Sequence, residues 1–538
     1  MKPSINPMAQ ADLKAFWRQD LLAGLLVFLL ALPLSLGIAV ASGFPPMAGI
    51  ISAIVGGLLV SRLNSSRLTI SGPAAGMIVV ILASVQSLGN GDALAGYRYT
   101  LAAIVLSGLM QVGLAQLKAG RLAVFFPASV VHGMLAAIGV IIISKQLPVM
   151  LGLQIHADSI LQGIALLPQA LSYFVPKVAL IAWLGLLLLL AWPHFNGGAL
   201  SKIPAPILVI LSGIVLGHGF DLSHFASESW FKPPQRVSVA EVLLVTIPDS
   251  LSASLVAPDF GMWATMDFWN SVLAITLVGS LETLISVAAV DKLAPQAQKT
   301  DLNQELKAIG IGNMVAGAIG GLPMIAEIVR SSANIDAGGQ SNWANFFHGV
   351  WLLLLVLLFP QWISSIPLAS LAALLVYTGW RLASPKVFKA SLALGKEQVA
   401  LMVITLVAVL ASNLVLGVMV GMVAKLLLLV FQGVPVRSVL NLSYQLQAIA
   451  SNQWRLQLRG AVVFSNVLAL DAQLAKLPVA AQLQIDLSQV DFIDHSVMVL
   501  INRLVADYAS NGGQCEIVGG QGLHSSVDHE LATRRRSI

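Results

Sequence analysis

The sequence predicts a polytopic α-helical membrane protein that ends in a small α/β domain. Of the 538 residues, 57% are hydrophobic and only 10% are charged, whereas ordinary soluble domains carry roughly 25% charged residues. Apolar stretches recur from Leu21 to Phe431, and polar residues return after Phe431. So much apolar surface cannot be folded around one aqueous core, and a lipid bilayer is the solvent that accommodates it.

Fourteen apolar stretches make up the predicted membrane part. Several are shorter than the ~20 residues that a straight helix needs to cross a bilayer. Short segments interrupted by Gly and Pro are typical of membrane proteins with broken helices. The stretches are 21–41, 46–60, 72–88, 98–117, 123–143, 177–192, 203–217, 271–290, 303–320, 325–336, 344–359, 362–380, 397–412 and 414–431.

Two of the interrupted stretches stand in matching positions. One starts with the run Ser71–Gly76 (SGPAAG), and the other with Gly320–Ala326 (GGLPMIA); their prolines are 250 residues apart. Each run follows a long apolar hairpin, as an internal repeat of seven spans requires. Gly-Pro pairs also mark ordinary loops between helices, but two in register favour a seven-plus-seven repeat.

The residues after Phe431 predict a small α/β domain. Trp454–Leu458 alternates in the manner of a strand, Leu483–Leu487 is a second strand candidate, a helix follows at 495–510, and Cys515–Val518 is a further strand. Strands that alternate with helices indicate such a domain. The predicted boundaries are 1–20 for a cytoplasmic N-terminal segment, 21–432 for the membrane domain, 433–437 for a linker, and 438–538 for the α/β domain and tail.

The even number of predicted spans places both termini on one side of the membrane. Residues 1–20 are polar and mixed in charge and do not resemble a signal peptide, so we expect the C-terminal domain in the cytoplasm. Arg62 and Arg67 follow the second stretch, on the side that the positive-inside rule prefers. Both termini are therefore expected to be cytoplasmic.

The composition argues against several other classes of protein. The net charge of +5 is thinly spread, apart from Arg534–Arg536 in the tail, so we expect no nucleic-acid partner. Cys515 is the single cysteine, which excludes an internal disulfide and a multi-cysteine metal site. The sequence has no Gly-Lys-Ser/Thr phosphate loop and no nucleophile-elbow motif. We therefore expect neither ATP drive, nor an enzyme, nor a bound cofactor.

Glu282 is the first candidate for a chemical role. It lies about midway along the stretch 271–290, and an ionisable group inside a span is costly and marks a functional site by default. Ser286 is four residues on and shares its helix face. The pair could hold a small cation such as sodium, or the carboxyl group could carry a proton. A structural ion pair between Glu282 and a nearby Lys or Arg would instead explain the residue without any transport role.

The two broken segments suggest how an anion could bind. A helix N-terminus presents free N–H groups and a positive dipole end. If Pro73–Ala75 and Ala326–Ile328 open two half-helices that face each other, their N-termini converge. The small residues would let a ligand reach the backbone, although they would also permit close helix packing.

Glu327 complicates this picture, because a carboxylate would repel an anion unless it is protonated or turned away. Arg330 lies three residues on. It could pair with Glu327 along one helix face or supply positive charge to the site, and the sequence leaves both open.

Several motifs together resemble the SulP (sulfate permease) family of anion transporters, which carry a soluble STAS domain. The membrane part contributes Asp20–Leu25, Ala31–Ser35, Ser71–Ala75, Phe126–Val130, Leu322-Pro323 and Arg330-Ser331. Asp486–Val490 followed by Ile493–Ser496 resembles the STAS module.

The resemblance implies seven plus seven inverted spans divided into core and gate domains, and commonly a homodimer. It implies that the substrate site is lined by Ser71, Gly72, Pro73, Ala74, Ala75, Ala326, Glu327 and Ile328. Glu282 and Ser286 would stand where cyanobacterial bicarbonate transporters of this family place an Asp and a Thr for sodium. Asp494, His495 and Ser496 would form the STAS regulatory loop, open to a cytoplasmic regulator.

The expected function is secondary active transport of a small inorganic anion across a bacterial inner membrane. Bicarbonate is the first expectation, coupled to sodium or protons through Glu282, because Leu34 replaces a Gln found in many members, as in the bicarbonate branch. Sulfate or a C4-dicarboxylate is the second expectation within the family. Two different functions also stay open: a nucleobase-type carrier, with Glu282 and Glu327 as its paired acids, and a membrane sensor that signals through the STAS domain.

Overall fold

The computed structural model describes most of the chain. The described residues are 7–120, 127–155, 157, 160–194, 204–224, 237–240, 242–247, 252–294, 300–450, 453–474, 482–510, 513–525 and 527–536. Residues 1–6 of the predicted N-terminal segment, Phe126 of the motif Phe126–Val130, and the first residues of the stretches 123–143 and 203–217 lie outside them.

The chain divides into two compact units. The first comprises Met1–Gly120 and Ile138–Arg381, and the second comprises Arg121–Ala137 and Leu382–Ile538.

The first unit is helical. Its helices are α1 (Pro7–Ala41), α2 (Pro46–Val55), α3 (Ser61–Leu63), α4 (Ile78–Gly89), α5 (Ala93–Gln116), α6 (Ala128–Met150, whose first ten residues belong to the second unit), α7 (Ile160–Ala170), α8 (Pro176–Ala191), α9 (Ala205–Gly219), α10 (Met266–Leu293), α11 (Leu302–Ala318), α12 (Ile328–Asp336), α13 (Trp343–Leu358), α14 (Pro360–Ser364) and α15 (Leu368–Leu382). A π-helical turn, Gly56–Val60, joins α2 to α3, and a 3-10 turn, Ala75–Met77, leads into α4.

Each of the fourteen predicted apolar stretches overlaps a helix of this structure. Six helices of the described part are long and apolar enough to cross a membrane. They are Lys14–Ala41, Pro46–Leu63, Ala93–Gln116, Ala128–Met150, Met266–Asp291 and Leu414–Phe431. Other apolar helices are shorter, as broken spans require, and the count of fourteen spans stays a prediction.

Polar caps mark where several of the apolar helices begin. The Asp92 side chain accepts hydrogen bonds from the amides of Leu94 and Ala95 at the start of α5, and Asp301 does the same for α11. Thr265 caps α10. These side chains satisfy N–H groups that have no partner inside the helix.

Two pairs of short antiparallel strands interrupt the helices of the first unit. β1 (Ile70–Gly72) pairs with β4 (Ile325–Glu327), and β2 (Leu153–Ile155) pairs with β3 (Val237–Val239). The β1–β4 pair lies just before α4 and α12, so it joins the two broken segments.

The second unit joins the last apolar helices to an α/β domain. Its further helices are α16 (Pro385–Leu394), α17 (Lys396–Ala411), α18 (Leu414–Phe431), α19 (Val436–Leu440), α20 (Val467–Leu474) and α21 (His495–Ser510). Its strands are β5 (Ser443–Ala450), β6 (Gln453–Val462), β7 (Gln482–Ile493), β8 (Gln514–Val518), β9 (Leu523–Ser525) and β10 (Arg534–Arg536).

These six strands form one sheet in the order β5-β6-β7-β10-β9, with β8 also paired to β7. The β6–β7 and β7–β8 pairs are parallel and the others are antiparallel. The two predicted strands before the helix, the helix itself and the strand after it are all present. The arginines of the predicted tail form β10, which pairs with β7.

The α/β domain has its own apolar core. Leu456 and Leu458 of β6 pack with Ile485 of β7 and with Val497 and Ile501 of α21. A second cluster joins α18 to the sheet. Its members are Leu429, Val434, Ala461, Val463, Phe464 and Phe492.

Candidate functional site

The paired strands β1 and β4 place the starts of two half-helices side by side. Ser71 lies opposite Ala326 in the ladder, and Gly72 lies opposite Ile325. The 3-10 turn that opens the first half-helix starts at Ala75, and α12 starts at Ile328. Because the first N–H groups of a helix have no partner four residues before them, the two starts can offer backbone donors to one region.

Arg330 ties three segments together at this point. Its side chain is fully buried, and Nη2 donates to the Pro73 carbonyl at 3.0 Å and to Ser35 Oγ of α1 at 3.2 Å. Its Nε lies 2.5 Å from Glu327 Oε2. This last contact is an ion pair by distance without the geometry of a hydrogen bond. The pairing with Glu327 that the sequence left open is therefore present.

Arg330 also keeps a donor unused. Its Nη1 has no hydrogen-bond partner in the described part of the chain, although it is buried. The same atom lies against Gly72, where the Cβ of any other residue would collide with it. Arg330 can thus pair with Glu327 and still offer a charged donor to a ligand beside β1.

Glu282 of α10 reaches the start of the first half-helix. Its carboxyl group lies so close to Gly76 that a Cβ at that position would overlap both oxygens. The side chain is buried, and its Oε1 has no hydrogen-bond partner among the described residues. No Lys or Arg of the described residues lies within ion-pair distance of Glu282, so Glu282 makes no structural ion pair with any of them.

Two hydroxyl groups near Glu282 in sequence are buried as well. Thr283 is fully buried and its Oγ1 has no partner within the described chain, and Ser286 is buried on the same helix. Carboxylate and hydroxyl oxygens are ligands that hard cations accept. The described residues hold no group of three His, Cys, Asp or Glu side chains suited to a metal ion.

Hydrogen bonds from two side-chain amides hold the residue that precedes β4 in place. Asn313 of α11 accepts from the Met324 amide at 2.6 Å and donates to the Met324 carbonyl at 3.2 Å. It also donates to Gln111 Oε1 of α5 at 2.8 Å, and Gln111 donates to Ser280 Oγ of α10 at 3.4 Å. Asn313 and Gln111 therefore have structural roles at the start of β4. An amide inside an apolar helix is the signal that could have identified both.

The second half-helix is bound to β1 in the same manner. Ser331 Oγ accepts from the Ile70 amide at 2.9 Å, and Asn334 donates to the Leu68 carbonyl at 3.0 Å. Ser71 Oγ is fully buried and has no partner in the described part. Both half-helix starts are therefore rigidly placed around an unused hydroxyl group.

The unpaired polar atoms of this region are what a ligand site presents. Buried polar groups are hydrogen-bonded in roughly 90% of cases or more, so several exceptions in one region require an explanation. They comprise Ser71 Oγ, Glu282 Oε1, Thr283 Oγ1 and Arg330 Nη1. The set offers donors to an anion, and an acidic oxygen to a cation or proton.

The predicted regulatory loop lies elsewhere, in the second unit. Asp494 Oδ1 accepts from the Val497 amide at 3.0 Å, as an N-cap of α21, and its Oδ2 accepts from the Phe464 amide at 2.9 Å. His495 Nδ1 lies 2.7 Å from the Leu531 carbonyl oxygen, and burial lowers the pKa of His495 below its ordinary value. Ser496 is partly buried.

Comparison with known proteins agrees with the resemblance seen in the motifs. Residues 17–405 match the sulfate permease family, and residues 431–523 match the STAS domain. YbaR of Bacillus subtilis (strain 168), named as a sulfate transporter, is 26% identical over 530 residues, which cover 96% of this chain and 97% of that protein. The bicarbonate transporter BicA of Synechocystis sp. is 22% identical over 520 residues, covering 94% of this chain and 88% of BicA.

Solved structures show the same fold. The transmembrane domain of a cyanobacterium bicarbonate transporter BicA matches with a TM-score of 0.61 at 22% identity, covering 76% of this chain and 97% of that chain. The overall structure of SLC26A9 matches with a TM-score of 0.67 at 17% identity, covering 98% and 88%. The predicted fold class, a helical membrane transporter fold with a C-terminal STAS domain, is confirmed. The chain belongs to the sulfate permease family of membrane anion transporters.

Proposed function

We propose that this protein is a secondary active transporter of a small inorganic anion, bicarbonate first, coupled to sodium or protons through Glu282. The observation that carries the proposal is the meeting of unused buried groups at the two half-helix starts. Arg330 Nη1 and Ser71 Oγ are donors without partners in the described residues, and Glu282 lies against Gly76 in the same region. The donors suit an oxyanion, and the carboxylate suits the coupling cation.

The charges of the region explain why anion and cation would move together. Arg330 is offset by Glu327, which leaves the negative charge of Glu282 beside the anion. Two like charges about 4 Å apart repel by roughly 4 kcal/mol at an effective dielectric constant of about 20. A proton on Glu282, or a sodium ion between Glu282 and Ser286, removes this repulsion. By linkage, each ion then raises the affinity for the other.

Sulfate is the second candidate, because YbaR is named as a sulfate transporter. Backbone N–H groups and Arg330 provide donors to either oxyanion. The small side chains of Ala75 and Ala326 leave room for a small anion to reach the backbone. Cavity size and the neighbouring polar groups would therefore select between them.

The remaining features of the proposal concern the location and assembly of the protein. It would lie in a bacterial inner membrane as a homodimer with both termini cytoplasmic, and the span count would be fourteen in two inverted repeats. A cytoplasmic regulator would act at Asp494, His495 and Ser496. The exposed Phe431 and the change in composition after it support placing the start of the cytoplasmic part there.

A substrate screen in proteoliposomes tests the proposal. Labelled bicarbonate, sulfate, a C4-dicarboxylate and a nucleobase are offered with the sodium and pH gradients set independently. Uptake of bicarbonate above equilibrium, driven by one of the two gradients, is the expected result. If reconstituted, monodisperse protein takes up none of the anions under any gradient, the proposal fails, and uptake of the nucleobase alone would assign an uncharged substrate.

A further inference from the structure

We infer a second anion-binding site, separate from the half-helix starts, in a cavity of about 360 Å³ near the end of α1. The inference rests on the proposed transport of a small anion. The cavity lies within the first unit, between α1, α4, α6 and the strand β2. Its polar lining residues are Gln86, Ser144, Lys145, Gln146 and Gln154.

Lys145 is the residue on which the inference turns. It is partly buried in α6, a helix long and apolar enough to span the membrane. Within the described residues, no carboxylate lies at ion-pair distance from Lys145. A charged side chain at such a position is costly and is kept where a partner compensates it. A small anion in the cavity would be that partner.

The rest of the lining matches an anion rather than a cation. None of the described lining residues is an Asp or a Glu. The three glutamines carry N–H donors, and Gln146 is almost fully buried. The Ser144 hydroxyl already donates to the Ile141 carbonyl at 2.8 Å. The remaining lining is apolar, with Leu82 and Val149 among its members. Apolar walls lower the local dielectric constant and strengthen an ammonium–oxyanion contact.

The position of Gln86 relates this cavity to the first half-helix. Gln86 lies in α4, ten residues after Gly76, which corresponds to roughly 15 Å along a helix at about 1.5 Å per residue. The cavity therefore adjoins the opposite end of the half-helix whose start lies against Glu282 of α10. With both termini cytoplasmic, α1 ends at the external face. The cavity would then capture an oxyanion such as bicarbonate or sulfate before it reaches the half-helix starts.

Sided kinetics of the full-length protein test the inference. In oriented proteoliposomes, Lys145→Gln is expected to raise the KM for external labelled bicarbonate or sulfate about tenfold, as loss of a charge-assisted hydrogen bond predicts. The KM for the internal anion and the kcat for uptake should not change, the kcat for efflux should fall by the same factor as microscopic reversibility requires, and Lys145→Arg should restore the external KM. Lys177→Gln is the matched control, because Lys177 is the second residue of α8, next to the lining residue Val178, and is exposed and not part of the lining. Equal external KM values for wild type and Lys145→Gln would overturn the inference.

A measurement that needs no transport separates this inference from the proposed function. Modification of Lys145 by an amine reagent is followed by mass spectrometry, with and without sulfate or bicarbonate. Protection of Lys145 but not of Lys177 supports the site, even in a protein that transports nothing, and then only the proposed function fails. Equal modification with and without either anion, in a protein that transports it, overturns the site and leaves the proposed function standing.

Discussion

Lys425 and Asp494 form a buried ion pair in the second unit, with 3.6 Å between Nζ and Oδ2. The exposed fractions of the two side chains are 4% and 0%. Lys425 belongs to α18, the last apolar helix, and Asp494 caps α21 of the STAS domain. An ionic contact therefore joins these two parts of the chain, beside the apolar cluster of Leu429 and Phe464.

Lys425→Met should destabilise the full-length protein. It leaves the carboxylate of Asp494 buried without its counter-charge, and breaking a buried pair in this way costs roughly 3–5 kcal/mol. The control is Arg98→Gln, which removes an exposed pair with Asp259 at 3.9 Å and should cost less than about 1 kcal/mol. Thermal unfolding of the purified variants measures the difference. Equal losses of stability in Lys425→Met and Arg98→Gln would contradict a stabilising role for the Lys425–Asp494 pair.

In a chain that lacks the STAS domain, Lys425→Met should stabilise the protein instead of destabilising it. A chain truncated after about residue 437 lacks Asp494 and Phe464, so Lys425 loses its partner and Leu429 loses the part of its apolar cluster that the STAS domain contributes. We expect the truncated chain to bind the anion with unchanged affinity but to melt earlier, and Lys425→Met to raise its melting temperature. Complete loss of anion binding by a well-folded truncated chain would contradict a purely regulatory STAS domain.

The helical part of this fold could be predicted because a helix that spans a membrane needs a continuous run of apolar residues, which is visible in the local sequence. The apolar stretches located the longer helices but not α7 or α16, which lie outside all fourteen, and the pattern at 495–510 predicted α21 correctly. Strand β5 was missed although Tyr444, Leu446 and Ala448 alternate with polar residues, which is the period-two pattern of a half-buried strand. The arginines of β10 look like a charged tail, and only their pairing with β7 makes them a strand.

The candidate site was predicted in outline, because Gly-Pro runs mark broken helices locally. The pairing of Ser71 with Ala326 depends on a contact across about 250 residues, which a single sequence does not contain. The same is true of the hydrogen bond from Arg330 to Ser35. A polar residue such as Ser35 that supports the site from a distant helix cannot be recognised from its neighbours in sequence, because its partner lies far along the chain.

Glu282→Gln should abolish coupled uptake while the protein stays folded. The amide cannot carry the proton and has no charge for sodium, and Glu282 Oε1 has no partner in the described residues whose loss would unfold the chain. Uptake of the labelled anion under separate sodium and pH gradients measures the coupling. Transport at the wild-type rate with unchanged sodium and pH dependence would remove Glu282 from the mechanism.

Glu305→Gln is the matched control for this substitution. Glu305 is also a fully buried carboxylate in a helix, but it accepts hydrogen bonds from the amides of Ser65 and Ser66, each at 3.2 Å, and from Thr69 Oγ1 at 3.3 Å. Its substitution should lower the melting temperature and leave the ion coupling of the remaining folded protein intact. We therefore expect Glu282→Gln to lose ion coupling and keep its stability, and Glu305→Gln to lose stability and keep its ion coupling.

Gly76→Ala should block transport. The added methyl group would overlap the carboxyl group of Glu282, so either the side chain or the first turn of the half-helix must move away from the anion. Gly113→Ala is the control, because a Cβ at Gly113 in α5 would meet no atom within 4 Å. It should stabilise the helix by about 0.5–1 kcal/mol and leave uptake unchanged. Wild-type uptake with unchanged cation dependence in Gly76→Ala would show that the approach of Glu282 to Gly76 is not needed.

Ala326→Leu tests whether the space between the half-helices selects the substrate by size. Ala326 is fully buried in β4, opposite Ser71. We expect the larger side chain to fill the space in which the anion approaches the backbone, without changing the net charge or removing a hydrogen bond. Binding of the labelled anion should be lost while the melting temperature is retained.

A packing role for Ala326 predicts the reverse pattern. Overpacking a buried position costs roughly 1–3 kcal/mol of stability, so the variant would melt earlier while its folded fraction still bound the anion. Binding and thermal stability must therefore be measured on the same preparation of Ala326→Leu. Lost stability with retained binding would make Ala326 a packing residue, and selection would then rest on the polar groups alone, with Arg330 and Ser71 as the next positions to replace.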